Sequence, residues 1–245
     1  ATDLEGGSES EHFNAGSSRV KSKVRFDHAK HVDAWRRLRS CDGILVPGGF
    51  GDRGVEGMIA AASWARKAQI PYLGVCLGMQ VAVIEFCRSV VGEPDAHSEE
   101  FDASAPLRSL IFMPEINRNV FGGNMRLGAK ETFFTTTNCL VSQLYGGKTS
   151  VLERHRHRYE VNPEIVERCE QLGLLFVGRD ESGTRMGACE IPGHKFFMGT
   201  QYHPEYTTRP HCASPPFLGL LLAASGQLTR KMLVTTKESH EGGCQ

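Results

Sequence analysis

The sequence lacks three features that would assign it to a specialised class of protein. Its 28 lysines and arginines balance 28 aspartates and glutamates, so no excess charge predicts nucleic acid or an anionic membrane as a partner. Its longest apolar stretches, 72–87 and 217–224, are too short to span a bilayer. With 245 residues, 40% of them hydrophobic, the chain is expected to form one sizeable domain with tails.

The eight cysteines also lack the close spacing of a metal or redox motif. The nearest two, Cys76 and Cys87, stand eleven positions apart, so no C-x-x-C pair is present. Dispersed thiols in a chain of this length are typical of a reducing compartment. We therefore expect a cytoplasmic protein without a disulfide scaffold or a bound metal.

Composition divides the chain into a central domain and two polar ends. Residues 1–18 are rich in glycine, serine and glutamate, which predicts a disordered segment. The polar residues 233–245 predict a flexible C-terminal tail. Residues 19–232 are expected to form the domain.

Two successive units of buried strand, glycine-containing loop and helix predict a parallel sheet. The first unit has its strand at 43–47 and a glycine-rich loop at 48–51, and the second has its strand at 70–75. Repeated units of this kind place helices on the faces of a sheet. Further strand-like runs follow from Leu110 onward. The pattern predicts an α/β fold with an open, mostly parallel sheet flanked by helices.

The most informative segment is Gly74-Val75-Cys76-Leu77-Gly78-Met79-Gln80, which places a cysteine where a strand gives way to a helix. Flanking glycines allow a tight turn that projects the residue at its tip away from the backbone. The free N–H groups of the new helix favour a thiolate and can hold an oxyanion. The alternative is an ordinary core thiol, because free cysteine is among the most buried residue types.

A second segment, Gln201-Tyr202-His203-Pro204-Glu205, offers partners for a reactive thiol. Residues two apart at a strand end point to the same side, so Glu205 can orient His203 while the other ring nitrogen faces a thiol. Taken alone, a structural histidine is the better interpretation of this motif. The loop after the first strand lies at the same sheet edge as Cys76, which makes the N–H groups of Gly49 and Leu77 candidates for an oxyanion hole.

Three segments carry a family resemblance: 47–51, 74–80 and 203–205 resemble the signatures of class I glutamine amidotransferase domains. More narrowly, 50–58, 123–128 and 153–162 resemble the glutaminase domains of CTP synthases. The collinear similarity runs from about Asp42 to about Ser225. It implies a flavodoxin-like α/β fold with extra antiparallel strands.

The resemblance also implies roles for individual residues. Cys76 would be the nucleophile, His203 the general base and acid, and Glu205 the carboxylate that orients His203. Glu100 would bind the α-amino group of glutamine and Arg158 its α-carboxylate, which suits the two charges of a free amino acid. The rest of the glutamine site would be formed by Gly49, Leu77, Gly78, Met79 and Gln80.

Several of these assignments have rivals. Glu99 is an alternative to Glu100, and the family pattern favours Glu100 because Phe101 follows it. Arg53 and Arg126 occupy loops that, in this family, lie near the glutamine entrance and take part in activation by GTP; surface salt bridges are the alternative. A zinc site formed by His155 and His157 is a minor possibility, because no third ligand is spaced to complete it.

The implied reaction is the hydrolysis of L-glutamine to glutamate and ammonia, which needs no cofactor. The family passes the ammonia to a synthetase domain that uses ATP and Mg²⁺ to aminate UTP to CTP, and GTP acts as an activator of the full-length enzyme. No such domain is recognisable in this chain, and the full-length enzyme is expected to be a homo-oligomer. Two other functions stay open: a stand-alone γ-glutamyl hydrolase with the same triad, and a mainly regulatory or assembly domain.

Overall fold

The computed structural model describes residues 1–5, 27–113 and 125–229, which form a seven-stranded sheet, a three-stranded sheet and the helices that pack on them. The strands are β1 (Ile44–Val46), β2 (Tyr72–Val75), β3 (His97–Ser98), β4 (Arg108–Phe112), β5 (Arg126–Phe134), β6 (Ser150–His157), β7 (Tyr159–Val161), β8 (Leu175–Arg179), β9 (Met186–Glu190) and β10 (Phe197–Thr200). The α-helices are α1 (His28–Arg39), α2 (Val55–Ala68), α3 (Leu77–Phe86), α4 (Leu140–Leu144), α5 (Pro163–Gln171) and α6 (Pro215–Ala224). A π-helical segment, Cys87–Val91, continues α3, and 3-10 turns lie at Thr2–Leu4 and Pro204–Thr207.

The larger sheet has the strand order β1-β2-β10-β9-β8-β5-β6. The pairs β1–β2 and β2–β10 are parallel, and the remaining four pairs are antiparallel. The smaller sheet has the order β3-β4-β7. The α/β fold with flanking helices and additional antiparallel strands is therefore confirmed, but the parallel part of the larger sheet is smaller than predicted and consists of β1, β2 and β10. The other strands pair antiparallel, because short connections such as those from β8 to β9 and from β9 to β10 reverse the direction of the chain. The parallel part carries the predicted strand-end loops.

The predicted ends of the chain lie largely outside the described residues. Of the segment 1–18, only residues 1–5 are described, and they contain the short 3-10 turn. The tail 233–245 is not among the described residues. The domain boundaries therefore stay predictions.

Two apolar cores lie on opposite faces of the larger sheet. Successive residues of β2 alternate between them, with Tyr72 in the first core and Leu73 in the second. The first core takes side chains from α2, α3 and α5, and the second from α4 and α6. Tyr72 stacks on Phe197 of β10 at a ring separation of 4.6 Å, which joins the two strands whose ends form the site.

Every residue of α3 is buried, including one carboxylate. The Glu85 side chain, 1% exposed, accepts two hydrogen bonds from the Arg66 guanidinium of α2, at 2.8 and 2.7 Å. A buried charge is tolerated when its partner meets it in this two-pronged geometry. The pair fixes α3, the helix that begins directly after Cys76, against α2.

Within the described ranges, no helix is long and apolar enough to cross a bilayer. Of the seven cysteines in the described ranges, Cys212 is disulfide-bonded, contrary to the expectation of free thiols throughout. The other six are free thiols: Cys41, Cys76, Cys87, Cys139, Cys169 and Cys189.

Candidate active site

Cys76 stands at the tip of the turn between β2 and α3, as the sequence predicts. Its backbone adopts φ 52° and ψ −101°, a conformation that residues with a side chain rarely occupy. Its N–H donates to the carbonyl of Thr200 at 2.7 Å, and its own carbonyl accepts from Gln80 N–H at 3.1 Å. The turn is thus tied on one side to the end of β10 and on the other to the first turn of α3.

The glycines around Cys76 are required by close backbone contacts. A Cβ atom on Gly78 would overlap the carbonyl of Val46, and one on Gly74 would overlap the backbone of Gly78. The hydroxyl of Tyr72 donates to the carbonyl of Gly78 at 2.8 Å, which holds the first turn of α3 against β2. No larger residue fits at either glycine without moving the turn that presents Cys76.

His203 and Glu205 meet as the motif predicts. His203 Nδ1 lies 2.7 Å from a carboxylate oxygen of Glu205, and the His203 backbone N–H donates to the carbonyl of Arg154 on β6 at 2.8 Å. The other ring nitrogen, Nε2, is buried and has no well-aligned partner within the described residues. This nitrogen remains for the thiol of Cys76.

Electrostatics couple His203 to both neighbours. Burial alone would lower the pKa of His203, but the hydrogen bonds and negative charges of Cys76 and Glu205 raise it to about 10. Burial would likewise raise the pKa of Glu205, yet the hydrogen bond and charge of His203 keep it below its ordinary value. Contact with the Glu205 carboxylate and the Cys76 sulfur therefore favours the protonated form of His203.

The glycine-rich loop after β1 lies against this pair. A Cβ atom on Gly48 would come within 2.8 Å of Cε1 of His203 and 3.4 Å of Cβ of Cys76. A Cβ atom on Gly49 would lie 3.3 Å from a side-chain methyl of Leu77. Gly49 and Leu77, the two predicted oxyanion donors, are therefore neighbours beside the thiol, while their donor role stays a prediction. The steric need for glycine at position 48 emerges only from the folded structure.

Glu100 and Arg158 lie close enough to interact. Burial raises the pKa of Glu100, and the positive charge of Arg158 and a hydrogen bond from the Gly51 backbone oppose that rise. Nε of Arg158 is buried and has no partner within the described residues. The rival carboxylate, Glu99, instead accepts a hydrogen bond from the Phe112 N–H at 2.9 Å. Of the two acids, Glu100 is the one that interacts with Arg158, and its role in binding glutamine stays a prediction.

The remaining residues of the predicted glutamine site, Gly78, Met79 and Gln80, pack in the protein interior. Met79 packs against Gly199 in the core, and Gly78 lies against the backbone of Val46. The amide of Gln80 is buried and occupied by protein acceptors. Contact of this segment with glutamine stays a prediction, and for Gly78 and Met79 it would involve the backbone.

The two arginines assigned to GTP activation have different surroundings. Arg53 is exposed in the loop before α2. Arg126 lies at the start of β5 and lines a small pocket with His155, His157, Glu160 and Gln201. A role of either arginine with GTP stays a prediction. The neighbouring positions Gly123 and Asn124 lie outside the described residues.

His155 and His157 form a buried pair whose hydrogen bonds within the described residues go to each other and to the backbone. His155 Nδ1 lies 3.1 Å from His157 Nε2, and His157 Nδ1 lies 3.0 Å from the carbonyl of Tyr159. Burial lowers the pKa of His155 to about 2 and that of His157 to about 4, so both stay neutral. Across the described residues, no group of three or more potential ligands could hold a metal ion.

Comparison with known proteins assigns the chain to a family. The family described as "Glutamine amidotransferase class-I" matches residues 12–223. The glutaminase domain of Trypanosoma brucei CTPS, solved with bound acivicin, is 40% identical, with a TM-score of 0.77 over 83% of this chain and 78% of that one. The chain belongs to the class I glutamine amidotransferase family, in its CTP synthase branch. The resemblance and the enzyme class predicted from the sequence are confirmed.

Curated relatives of this branch are longer than the chain. CTP synthase 2 of Rattus norvegicus is 51% identical over 214 residues, which cover 87% of this chain and 36% of the relative. CTP synthase of Neurospora crassa is 53% identical over 212 residues, covering 84% and 37% respectively. The chain therefore spans about a third of the length of the CTP synthases that it matches.

The raised pKa of His203 predicts a titration that can be measured directly. We expect its ring to stay protonated through neutral pH and to lose its proton near pH 10, instead of near 6.5. Cys76→Ala and Glu205→Gln should each lower this midpoint, because each removes a negative partner. NMR titration of the histidine rings measures it, with buried His194, whose pKa is lowered by burial, as an internal reference. A midpoint near 6.5 that neither variant changes would contradict the coupling.

Proposed function

We propose that this chain hydrolyses L-glutamine to glutamate and ammonia through the triad of Cys76, His203 and Glu205. The observation that carries the proposal is the strained turn at Cys76 (φ 52°), held beside a histidine that is itself 2.7 Å from a carboxylate. A nucleophile, a base and a group that orients the base are the components of covalent amide cleavage. Membership of the amidotransferase family supports the same reaction.

The first half of the reaction would form a thioester. The thiolate of Cys76 attacks the side-chain carbonyl carbon of glutamine, and the resulting oxyanion accepts hydrogen bonds from the N–H groups of Gly49 and Leu77. The imidazolium of His203 gives its proton to the departing nitrogen, so that ammonia leaves and the γ-glutamyl thioester remains. Glu205 stabilises the charged ring before this transfer.

The second half would regenerate the enzyme. His203, now neutral, removes a proton from a water molecule that attacks the thioester carbonyl. The thiolate leaves, glutamate is released, and His203 carries the proton again. No metal or organic cofactor takes part in these steps.

Recognition of free glutamine would rest on one charge of each sign. The carboxylate of Glu100 would bind the α-amino group, and the guanidinium of Arg158, whose buried Nε lacks a protein partner within the described residues, would bind the α-carboxylate. A γ-glutamyl peptide presents the same two charges on its γ-glutamyl unit but adds a bulky leaving group. We therefore favour glutamine as the substrate, and the labelling experiment below compares both.

The ammonia would serve a larger enzyme. Because the chain spans about a third of its CTP synthase relatives, we propose that it acts with a synthetase domain that uses ATP and Mg²⁺ to aminate UTP to CTP. GTP would activate the glutaminase reaction, with Arg53 and Arg126 as candidate contacts. The whole enzyme is proposed to be a cytoplasmic homo-oligomer.

Selective labelling tests the nucleophile. A diazo-ketone analogue of glutamine should form one adduct, on Cys76, because this is the thiol that lies beside an imidazolium. Excess glutamine should block the adduct and a γ-glutamyl peptide should not, as peptide mass spectrometry can show. Cys76→Ala should lower ammonia release by at least about a thousandfold. Labelling spread over several cysteines, or turnover retained in the variant, would contradict the assignment.

A matched pair of carboxylate variants tests substrate recognition. Glu100→Gln removes the charge proposed to bind the α-amino group, so KM for glutamine should rise about 10- to 100-fold with a smaller change in kcat. Glu99→Gln is the control, because an amide oxygen can still accept from the Phe112 N–H. Steady-state ammonia assays measure both variants. Equal effects, or a larger effect at Glu99, would show that the acids are wrongly assigned.

A further inference from the structure

Two side-chain amides, those of Gln80 and Gln201, connect the backbone of β7 to the sulfur of Cys76 through hydrogen bonds. Nε2 of Gln80 donates to the carbonyl of Tyr159 at 3.0 Å and to Oε1 of Gln201 at 3.1 Å. Nε2 of Gln201 in turn lies 3.5 Å from Sγ of Cys76. None of the roles described above uses the side chain of Gln201.

The Tyr159 carbonyl decides which atom donates and which accepts in each hydrogen bond of this network. The carbonyl of Tyr159 can only accept, so Gln80 must turn its nitrogen toward it. The second hydrogen on that nitrogen is directed at Gln201, which must therefore present its oxygen. The nitrogen of Gln201 is left to face the sulfur. Reversing Gln201 would bring two NH₂ groups together.

Burial keeps this arrangement in place. Gln201 is 1% exposed and Gln80 is 4% exposed, so bulk water does not replace their hydrogen bonds. The backbone N–H of Gln201 donates to the carbonyl of Gly187 at 2.9 Å, which anchors the residue to β9. An unpaired amide in such a site costs about 1–3 kcal/mol, so the network resists rearrangement.

The two ionisation states of Cys76 use different partners. As a thiol, the sulfur can donate to the carbonyl of Arg156, which is 3.8 Å away. As a thiolate it loses that bond and can only accept. The amide of Gln201 is a fixed donor, and a hydrogen bond to a charged acceptor is stronger than one to a neutral acceptor. The donor therefore favours the thiolate.

We propose that Gln201 is a positioning residue for the nucleophile: its amide N–H holds the Cys76 sulfur and favours the thiolate, with the direction of the bond set by Gln80 and the Tyr159 carbonyl. This inference rests on the proposed function, since it assigns a role relative to the proposed nucleophile. The Cys76 sulfur would thus have two neighbours that act on it, His203 and the amide donor of Gln201 on the side of the sheet.

Alkylation by iodoacetamide tests the inference without glutamine. The rate at Cys76, followed by peptide mass spectrometry from pH 5 to 10, gives the midpoint at which the thiolate forms. Gln201→Glu replaces the donor by an anion, and Gln201→Asn keeps the amide but shortens it by one methylene group. Both variants should raise the midpoint by about one pH unit or more and slow alkylation at pH 7 about tenfold.

Matched controls separate this effect from general ones. Gln171→Glu and Gln171→Asn make the same changes on the exposed surface of α5 and should leave the midpoint unchanged. Thermal unfolding shows whether each variant folds. The wild-type protein supplies a readout without mutation: the NMR signal of the Gln201 side-chain NH₂ should shift with the same midpoint as alkylation.

The outcomes distinguish this inference from the proposed function. If wild-type Cys76 is selectively alkylated but folded Gln201 variants keep its midpoint, the inference is wrong and the triad stands. Slower alkylation at an unchanged midpoint also overturns it, because that result reflects packing alone. A Gln201 NH₂ signal that does not follow the midpoint overturns it even where the variants fail to fold. If wild-type Cys76 is not selectively reactive, the proposed function fails as well.

Discussion

The turn at Cys76 combines a backbone conformation that side chains disfavour with close packing on both sides. The strain is held because α3 is buried along its whole length, and Gly74 and Gly78 let its first turn approach β2 and the end of β1. The same turn places Cys76 beside His203, directly before the first turn of α3. The geometry proposed for catalysis thus depends on how closely the start of α3 packs against the ends of β1 and β2.

Of the three neighbouring histidines, only His203 has a pKa raised above its ordinary value. His155 and His157 lie nearby, but burial keeps both neutral, with pKa values of about 2 and about 4. His203 differs because a carboxylate and a thiol face its two nitrogens, and its pKa rises to about 10. Burial therefore keeps a histidine ring neutral unless an anionic group contacts it, and of these three rings only that of His203 has such a contact.

The parts of the site fixed by local sequence were predictable, and the parts fixed by tertiary contacts were not. The glycines that follow strand ends and the two-residue spacing of His203 and Glu205 were predictable, because local spacing alone determines the geometry of turns and of strand ends. Strand β6 is only partly predictable, because Arg154–Arg158 taken alone indicate a basic, solvated strand or a phosphate patch. Both faces of β6 are largely polar, and its inward-facing Glu153 and His155 look like surface residues. The contact of Gln201 with Cys76 joins segments 125 residues apart, so no local pattern reports it.

The central claim is that glutamine cleavage passes through a thioester on Cys76, and partitioning of that intermediate tests it most directly. Hydroxylamine added during turnover competes with water for a thioester, so γ-glutamyl hydroxamate should form. Ammonia release should continue undiminished, and Cys76→Ala should give neither product. Ammonia release from glutamine by the wild-type protein with no hydroxamate at saturating hydroxylamine would contradict a covalent route and, with it, the role assigned to the turn.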